Sequence, residues 1–256
     1  MRVAAFLSWV LYSFLLNDLK LLMIRCVASG PRLRALVSRF MKREGRRIMA
    51  VAHYLTGLSV LPVEWRLAGP LPETFVLVCN HQSLADIPVL VTSLPQRTVK
   101  FVAKAALARW VPTLSRCLRY GGDALIERPR RGGVTRSAHR TTEDELLRLA
   151  RLTSEGICPV LFPEGTRSRD GAVGQFHTAG ARKVLQAASV PVVAAALDGG
   201  WRMATLRGLS NMGSVVYRLA VLEVFSPPGS KAEVANVLER CRRSIIHQVS
   251  VWRAEE

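Results

Sequence analysis

The sequence predicts an α/β fold: a mainly parallel central sheet flanked by helices, with membrane-associated helices at its N-terminus. Apolar runs at 75–79, 157–162 and 190–197 are short enough for strands and alternate with segments of helical period, the pattern of a parallel sheet covered on both faces. The first two runs stop abruptly at Asn80-His81 and Pro163-Glu164-Gly165, as strands do where their carboxyl ends open onto a site. Of the 256 residues, 49% are hydrophobic, and Lys plus Arg outnumber Asp plus Glu by 36 to 19, a formal net charge of +17. Such a charge calls for an anionic partner, either nucleic acid or an anionic lipid surface, and the hydrophobic surplus calls for a membrane-facing surface. Aromatics at 7% and the lack of any recognition motif weigh against nucleic acid.

The division expected is a helical, membrane-associated segment over 1–55 and an α/β domain over 56–256. Residues 3–16 are almost continuously apolar, Asn17-Asp18 interrupts them, and apolarity resumes over 19–28 with Lys20 and Arg25 inserted. Read as a whole, 3–28 is one tilted anchor helix or an interfacial one. Gly30-Pro31 breaks it, and Arg32, Arg34, Arg39, Lys42, Arg43, Arg46 and Arg47 then interleave with Leu33, Leu36, Val37, Phe40, Met41 and Ile48 at helical period. That is a basic amphipathic helix suited to a headgroup layer, or else a solvated basic face on an ordinary packed helix.

A short strand is expected over 60–67, the first core strand over 75–79, and a helix over 87–93 that Pro95 ends. A strand over 100–103 gives way to a helix that Lys104 opens and that carries Arg109 and Trp110. Three strand residues at 124–126 precede a basic loop over 129–142 and an amphipathic helix over 143–152. The second core strand, 157–162, leads through a loop at 171–174 to a helix over 176–188. A third buried strand over 190–197 turns away at Gly199-Gly200-Trp201. A last strand over 215–225 and a C-terminal helix over 231–251 close the chain.

His81 and Asp86 are too far apart for one helical face but suit a loop turning from a strand into a helix. Asp86 reads as the N-cap of that helix, with Pro88 in its first turn. An Asp bonded to one ring nitrogen of His sets the tautomer and leaves the other nitrogen free to take a proton from a hydroxyl. No Gly-x-Ser-x-Gly elbow occurs, so the nucleophile would come from the substrate. The plainer alternative is a cap and a locally satisfied histidine. Glu164-Gly165-Thr166-Arg167, taken alone, is either an anion-facing turn, with Arg forks matched to phosphate oxygens, or a Pro-Gly turn with solvated arginines. The five cysteines are dispersed and read as reduced, buried thiols, and the five histidines show no metal-ligand spacing.

Taken together, 80–86 (Asn-His-Gln-Ser-Leu-Ala-Asp) and 162–167 (Phe-Pro-Glu-Gly-Thr-Arg) resemble the His-x4-Asp and Glu-Gly-Thr-Arg blocks of the glycerophospholipid acyltransferase family, above all its 1-acyl-glycerol-3-phosphate acyltransferases. Gly121 to Arg128 is similar to the family's Gly-x-x-x-Ile-x-Arg block, with Leu125 in place of the usual aromatic, and Val190-Pro191-Val192-Val193 to its short Val-Pro strand. The resemblance implies a glycerol-3-phosphate acyltransferase-like fold and N-terminal helices docked on an anionic membrane, here the cytoplasmic face of the inner membrane. It implies His81 and Asp86 as catalytic residues, and Lys104, Arg128, Glu164, Gly165, Thr166 and Arg167 as substrate-binding residues, with Glu164 orienting an arginine or bonding the glycerol. Lys100 is a weaker candidate for the acceptor's phosphate. The reaction implied is acyl transfer from acyl-coenzyme A or acyl-acyl carrier protein to lysophosphatidate, with no metal and no further cofactor. Glycerol 3-phosphate, lyso-ornithine lipid and other lysophospholipids stay open as acceptors, and so does a non-catalytic, membrane-binding role.

Overall fold

The computed structural model describes residues 1–94, 96–127 and 136–255, with side chains for all of these except 136–140 and 206. Two long helices come first, α1 (Arg2–Val27) and α2 (Gly30–Thr56). They run antiparallel, since Asn17 donates to Glu44 at 3.0 Å while Trp9 lies under Arg47. Gly30-Pro31 is the start of α2 rather than only a break, because Pro fits a helix's first turn. Asn17-Asp18, which interrupts the apolar run, does not interrupt the helix. Asn17 is buried against Glu44, and Asp18 holds the Thr113 amide at 2.9 Å and Arg116 at 2.8 Å.

α1 buries only Phe6, Ser13, Asn17 and Leu21 and leaves Leu7, Leu11, Leu15, Leu16, Leu19 and Met23 exposed. No helix among the described residues is long and apolar enough to cross a membrane, so the spanning-anchor alternative for 3–28 is set aside. α2 buries Leu33, Val37 and Phe40 at helical spacing and turns Arg32, Arg39, Arg43, Arg46 and Arg47 outward.

The strand expected over 60–67 divides into β1 (Ser59–Val60) and β2 (Glu64–Trp65), separated by a stretch containing Pro62, which has no amide to give a ladder. Next come β3 (Val76–Cys79), α3 (Asp86–Ser93) and β4 (Thr98–Lys104). Lys104 therefore ends a strand and does not open a helix; the helix that follows, α4 (Leu107–Trp110), is a single turn, and α5 (Leu114–Gly121) was not anticipated. β5 (Ala124–Ile126) has the expected bounds. α6 (Arg136–Arg151) takes in residues 136–142, expected in a loop, because Arg, Ser and Thr cost a helix only a few tenths of a kcal/mol each. β6 (Ile157–Leu161), α7 (Thr178–Ala188), β7 (Val192–Asp198), a short α8 (Leu206–Ser210), β8 (Val216–Phe225) and α9 (Lys231–Ala254) complete the chain.

The sheet runs β1-β8-β7-β3-β6-β4-β5, with β2 also on β8, and all pairings are parallel except β7 with β8. Both faces of β3 are buried: Phe75, Leu77 and Cys79 pack with Phe6, Ala52 and Val89, while Val76 and Val78 face Val184, Leu238 and Ile245. That two-sided burial explains an unbroken apolar run where a one-sided strand would alternate. The one reversal has a consequence for the site. Parallel strands deliver their carboxyl ends to one edge, and antiparallel β8 delivers its first residues, beginning at Val216-Tyr217, to that same edge.

Candidate active site

β3 ends at Cys79, and Asn80 is the first residue of the loop beyond it. The Asn80 amide acts as a surrogate peptide, accepting from the Leu197 amide and donating to the Leu197 carbonyl, each at 2.8 Å. The loop therefore starts from a fixed point on β7. One residue later, His81 Nδ1 lies 2.6 Å from Oδ2 of Asp86, whose residue is fully buried. The imidazole is stacked on Phe162 with ring centroids 4.2 Å apart. Asp86 does not cap its helix as expected. It stands in the first turn of α3 and its carboxylate points back into the preceding loop, where Oδ2 also accepts from the amides of Gln82 at 2.7 Å and Ser83 at 2.9 Å. Its other oxygen, Oδ1, accepts from the Tyr217 hydroxyl at 2.6 Å.

The second block meets the first through the backbone of His81. Glu164 Oε1 accepts from the His81 amide at 2.9 Å, Oε2 accepts from the Gly174 amide at 2.8 Å, and the Ser168 amide donates to the His81 carbonyl at 2.8 Å. Glu164 is thus committed to two loop amides, and its described hydrogen bonds include no arginine. Burial, the largest influence, pushes its carboxyl above the usual range, against the lowering effect of the two amides and of His81. Gly165 allows the turn: its φ of +65° is left-handed and its amide donates to the Phe162 carbonyl at 2.9 Å. Thr166 and Arg167 beyond it are exposed.

Lys104, also exposed, ends β4 at the same edge of the sheet, and Arg128 lies outside the described residues. Lys100 is corrected. It is 1% exposed, packed toward Asp123 and Cys117, and a side chain so enclosed has no surface to offer a phosphate. Cys79 is fully buried behind the dyad, and burial first, then the charges of Asp86 and Glu164, push its thiol well above the usual range. It stays protonated and unreactive.

Several supporting residues escaped the sequence reading. Gln82 donates to Asp198 Oδ1 at 2.9 Å, and Arg253 of α9 clamps the same carboxylate at 3.0 and 3.2 Å while donating to the Gly171 carbonyl at 2.9 Å. A buried polar residue at a strand end, as at Asn80 and Asp198, is the signal that would have found them. With Nδ1 engaged, the other ring nitrogen, Nε2, is the one left to exchange a proton, and the histidine side chain retains 17% exposure. The arrangement holds the imidazole in one tautomer and one orientation.

An Acyltransferase family model matches residues 56–198. A chloroplastic 1-acyl-sn-glycerol-3-phosphate acyltransferase of Brassica napus is 33% identical over 142 residues, covering 55% of this chain and 38% of its own length. A lyso-ornithine lipid O-acyltransferase of Brucella abortus (strain 2308) is 35% identical over 116 residues, covering 44% and 39%. The chain spans about two fifths of the length of these curated relatives. The crystal structure of the 1-acyl-sn-glycerophosphate (LPA) acyltransferase from Thermotoga maritima shares the fold, with a TM-score of 0.69 over 99% of this chain and 95% of that one at 21% identity.

Proposed function

The chain belongs to the acyltransferase family, and from that premise we propose that it transfers an acyl group from acyl-coenzyme A or acyl-acyl carrier protein to the free hydroxyl of 1-acyl-sn-glycerol 3-phosphate, forming phosphatidic acid. The observation that carries this reading is the His81–Asp86 contact of 2.6 Å, with the imidazole stacked on Phe162 at the edge of a basic loop. Nε2 of His81 takes the acceptor's hydroxyl proton, the oxygen forms its bond to the thioester carbonyl carbon, the carbon–sulfur bond breaks, and the departing thiolate takes the proton from the imidazolium. Asp86 steadies that cation, and such a base contributes roughly 100- to 10,000-fold.

Arg167, Lys104, Thr166 and Arg128 are our assignment for the acceptor's phosphate, since planar Arg forks match phosphate oxygens and the described members of this set are exposed. Glu164, whose carboxylate accepts from two loop amides, and Gly165, whose amide closes the turn, support the site by holding the loop. The exposed apolar face of α1, the outward arginines of α2 and the net charge of +17 support docking on an anionic membrane, which we place at the cytoplasmic face of the inner membrane. Each basic residue near such a surface adds about 1 kcal/mol.

The identity to a lyso-ornithine lipid O-acyltransferase favours a second acceptor of the same reaction. One experiment addresses both: thioester consumption by purified protein with lysophosphatidate, glycerol 3-phosphate and lyso-ornithine lipid as acceptors. Lysophosphatidate should give the highest kcat/KM, His81→Ala should lower it by about 1,000-fold, and Arg167→Ala should impair only phosphate-bearing acceptors. Equal, negligible rates for wild type and His81→Ala with every acceptor would remove the enzyme reading, and a preference for lyso-ornithine lipid would select the second.

A further inference from the structure

Tyr217 has no part in the two sequence blocks, yet it is the sole described donor to Oδ1 of Asp86, at 2.6 Å, and both residues are fully buried. It arrives from β8, which runs antiparallel to its neighbour β7, and two glycines make room for it. A Cβ on Gly200 would come within 2.1 Å of the Tyr217 hydroxyl, and Gly199, at φ +95°, would bring one within 2.1 Å of the Val216 carbonyl oxygen. Side chains at the Gly199-Gly200 turn would drive β8 and its phenol away from the loop. The Gly-Gly turn after β7 therefore fits the crossing chain to Asp86.

We propose that Tyr217 is the outer member of a His81–Asp86–Tyr217 relay, a positioning residue that fixes the carboxylate and tunes how readily the imidazole holds a proton. This rests on the acyl-transfer reading for its kinetic consequence but not for its geometry. The Asp86 carboxylate accepts four hydrogen bonds, three on Oδ2 and one on Oδ1. The phenol's donation draws negative charge away from the side that faces His81. Burial first, then the charge of Asp86, push the phenol's ionisation well above its usual range, so it stays a donor at any working pH. The other titratable groups facing the cluster are Glu164 and Cys79, both pushed up by burial.

Tyr217→Phe leaves Oδ1 without its donor and concentrates charge on the carboxylate, which favours the imidazolium. The acid limb of the kcat/KM profile should move to higher pH by about half to one unit, and kcat/KM at neutral pH should fall about 5- to 10-fold, with KM little changed. Replacing Tyr217 site-specifically with 3-fluorotyrosine, nearly the same shape and a stronger donor, should move the limb the opposite way, and it serves where the Phe variant folds poorly. The His81 ring titration, followed by nuclear magnetic resonance in the same three proteins, should move in the same two directions whether or not any acceptor is turned over. Shifts in the ring titration without turnover in any protein would sink the acyl-transfer reading and leave the relay standing. Normal turnover with coincident pH profiles and ring titrations in all three would overturn the relay.

Discussion

Two buried ionic clusters lie along this sheet, and they are wired differently. At the carboxyl edge, both oxygens of Asp86 are filled, with three donors on one and Tyr217 on the other, and its partner His81 keeps part of its ring at the surface. Farther back, Lys100 and Asp123 are both almost fully enclosed around Gly121. There Asp123 Oδ1 holds the Phe101 amide at 2.9 Å, and Oδ2 is buried without a hydrogen-bond partner among the described residues. Burial, the largest influence on each, pulls the Lys100 ammonium below its usual range and pushes the Asp123 carboxyl above its own, while each one's charge works against the other's shift. Opposite charges in a core do not by themselves make a site. Full hydrogen bonding, which fixes one geometry, and a path to the surface separate the first cluster from the second.

Asp86→Asn should break the contrast hardest. The amide can neither hold the imidazolium nor accept all four donors, so kcat/KM should fall by about 1,000- to 10,000-fold, the scale seen when the acid of a hydrolytic triad loses its charge. Unfolding free energy should fall by roughly 3 kcal/mol, because the loop amides and Tyr217 lose their common acceptor. Steady-state kinetics and denaturant melts on one preparation test both, and a loss of activity under tenfold would mean that the carboxylate is structural.

Lys100→Met asks the converse question. It strands Asp123 as a buried, uncompensated charge, which should reduce stability by about 3–5 kcal/mol, while folded molecules keep the wild-type kcat/KM. Adding Asp123→Asn should recover most of the lost stability, since an enclosed pair replaced by neutral groups of similar volume is often neutral or better. If Lys100→Met instead lowered kcat/KM with no change in the melt, the cluster would belong to the site.

These contrasts also mark what could be read from residues alone. The core strands and the His81–Asp86 pairing were legible because a run such as 75–79 buried on both faces leaves a continuous apolar signature, and the dyad is local in sequence. Tyr217, 131 positions from Asp86, left none: an aromatic at the head of an apolar strand looks like packing, and only the reversal of β8 brings it to the site. Lys100 misled for the opposite reason, since the sequence shows a cation four residues before Lys104 but not which face of β4 is enclosed. Asp86 read as a cap because its position suited one, whereas the demand of the loop amides on its carboxylate is a tertiary fact. The helix over 114–121 was missed because no long apolar stripe announces eight residues that include Arg116 and Arg119.

A partly exposed ion pair sets the lower bound of the comparison. Asp18 on α1 meets Arg116 at 2.8 Å, but the two side chains keep 28% and 25% exposure, so solvent screens what the buried clusters feel in full. Burial tends to raise the Asp18 carboxyl, yet bonds from Arg116 and the Thr113 amide outweigh it and hold the group below its usual range. A carboxylate depressed on folding contributes stability above its unfolded pKa and loses it as pH falls through the folded value. Asp18→Asn keeps a carbonyl for Thr113 and gives up only the charge, so the difference in unfolding free energy should be about 0.2–1 kcal/mol at neutral pH. That difference should shrink as pH falls through the depressed folded value, where the wild-type carboxyl is itself protonated. A gap as large as that of Lys100→Met, or one that persists in acid, would show that the charge of Asp18 is not what ties α1 to the segment around Thr113.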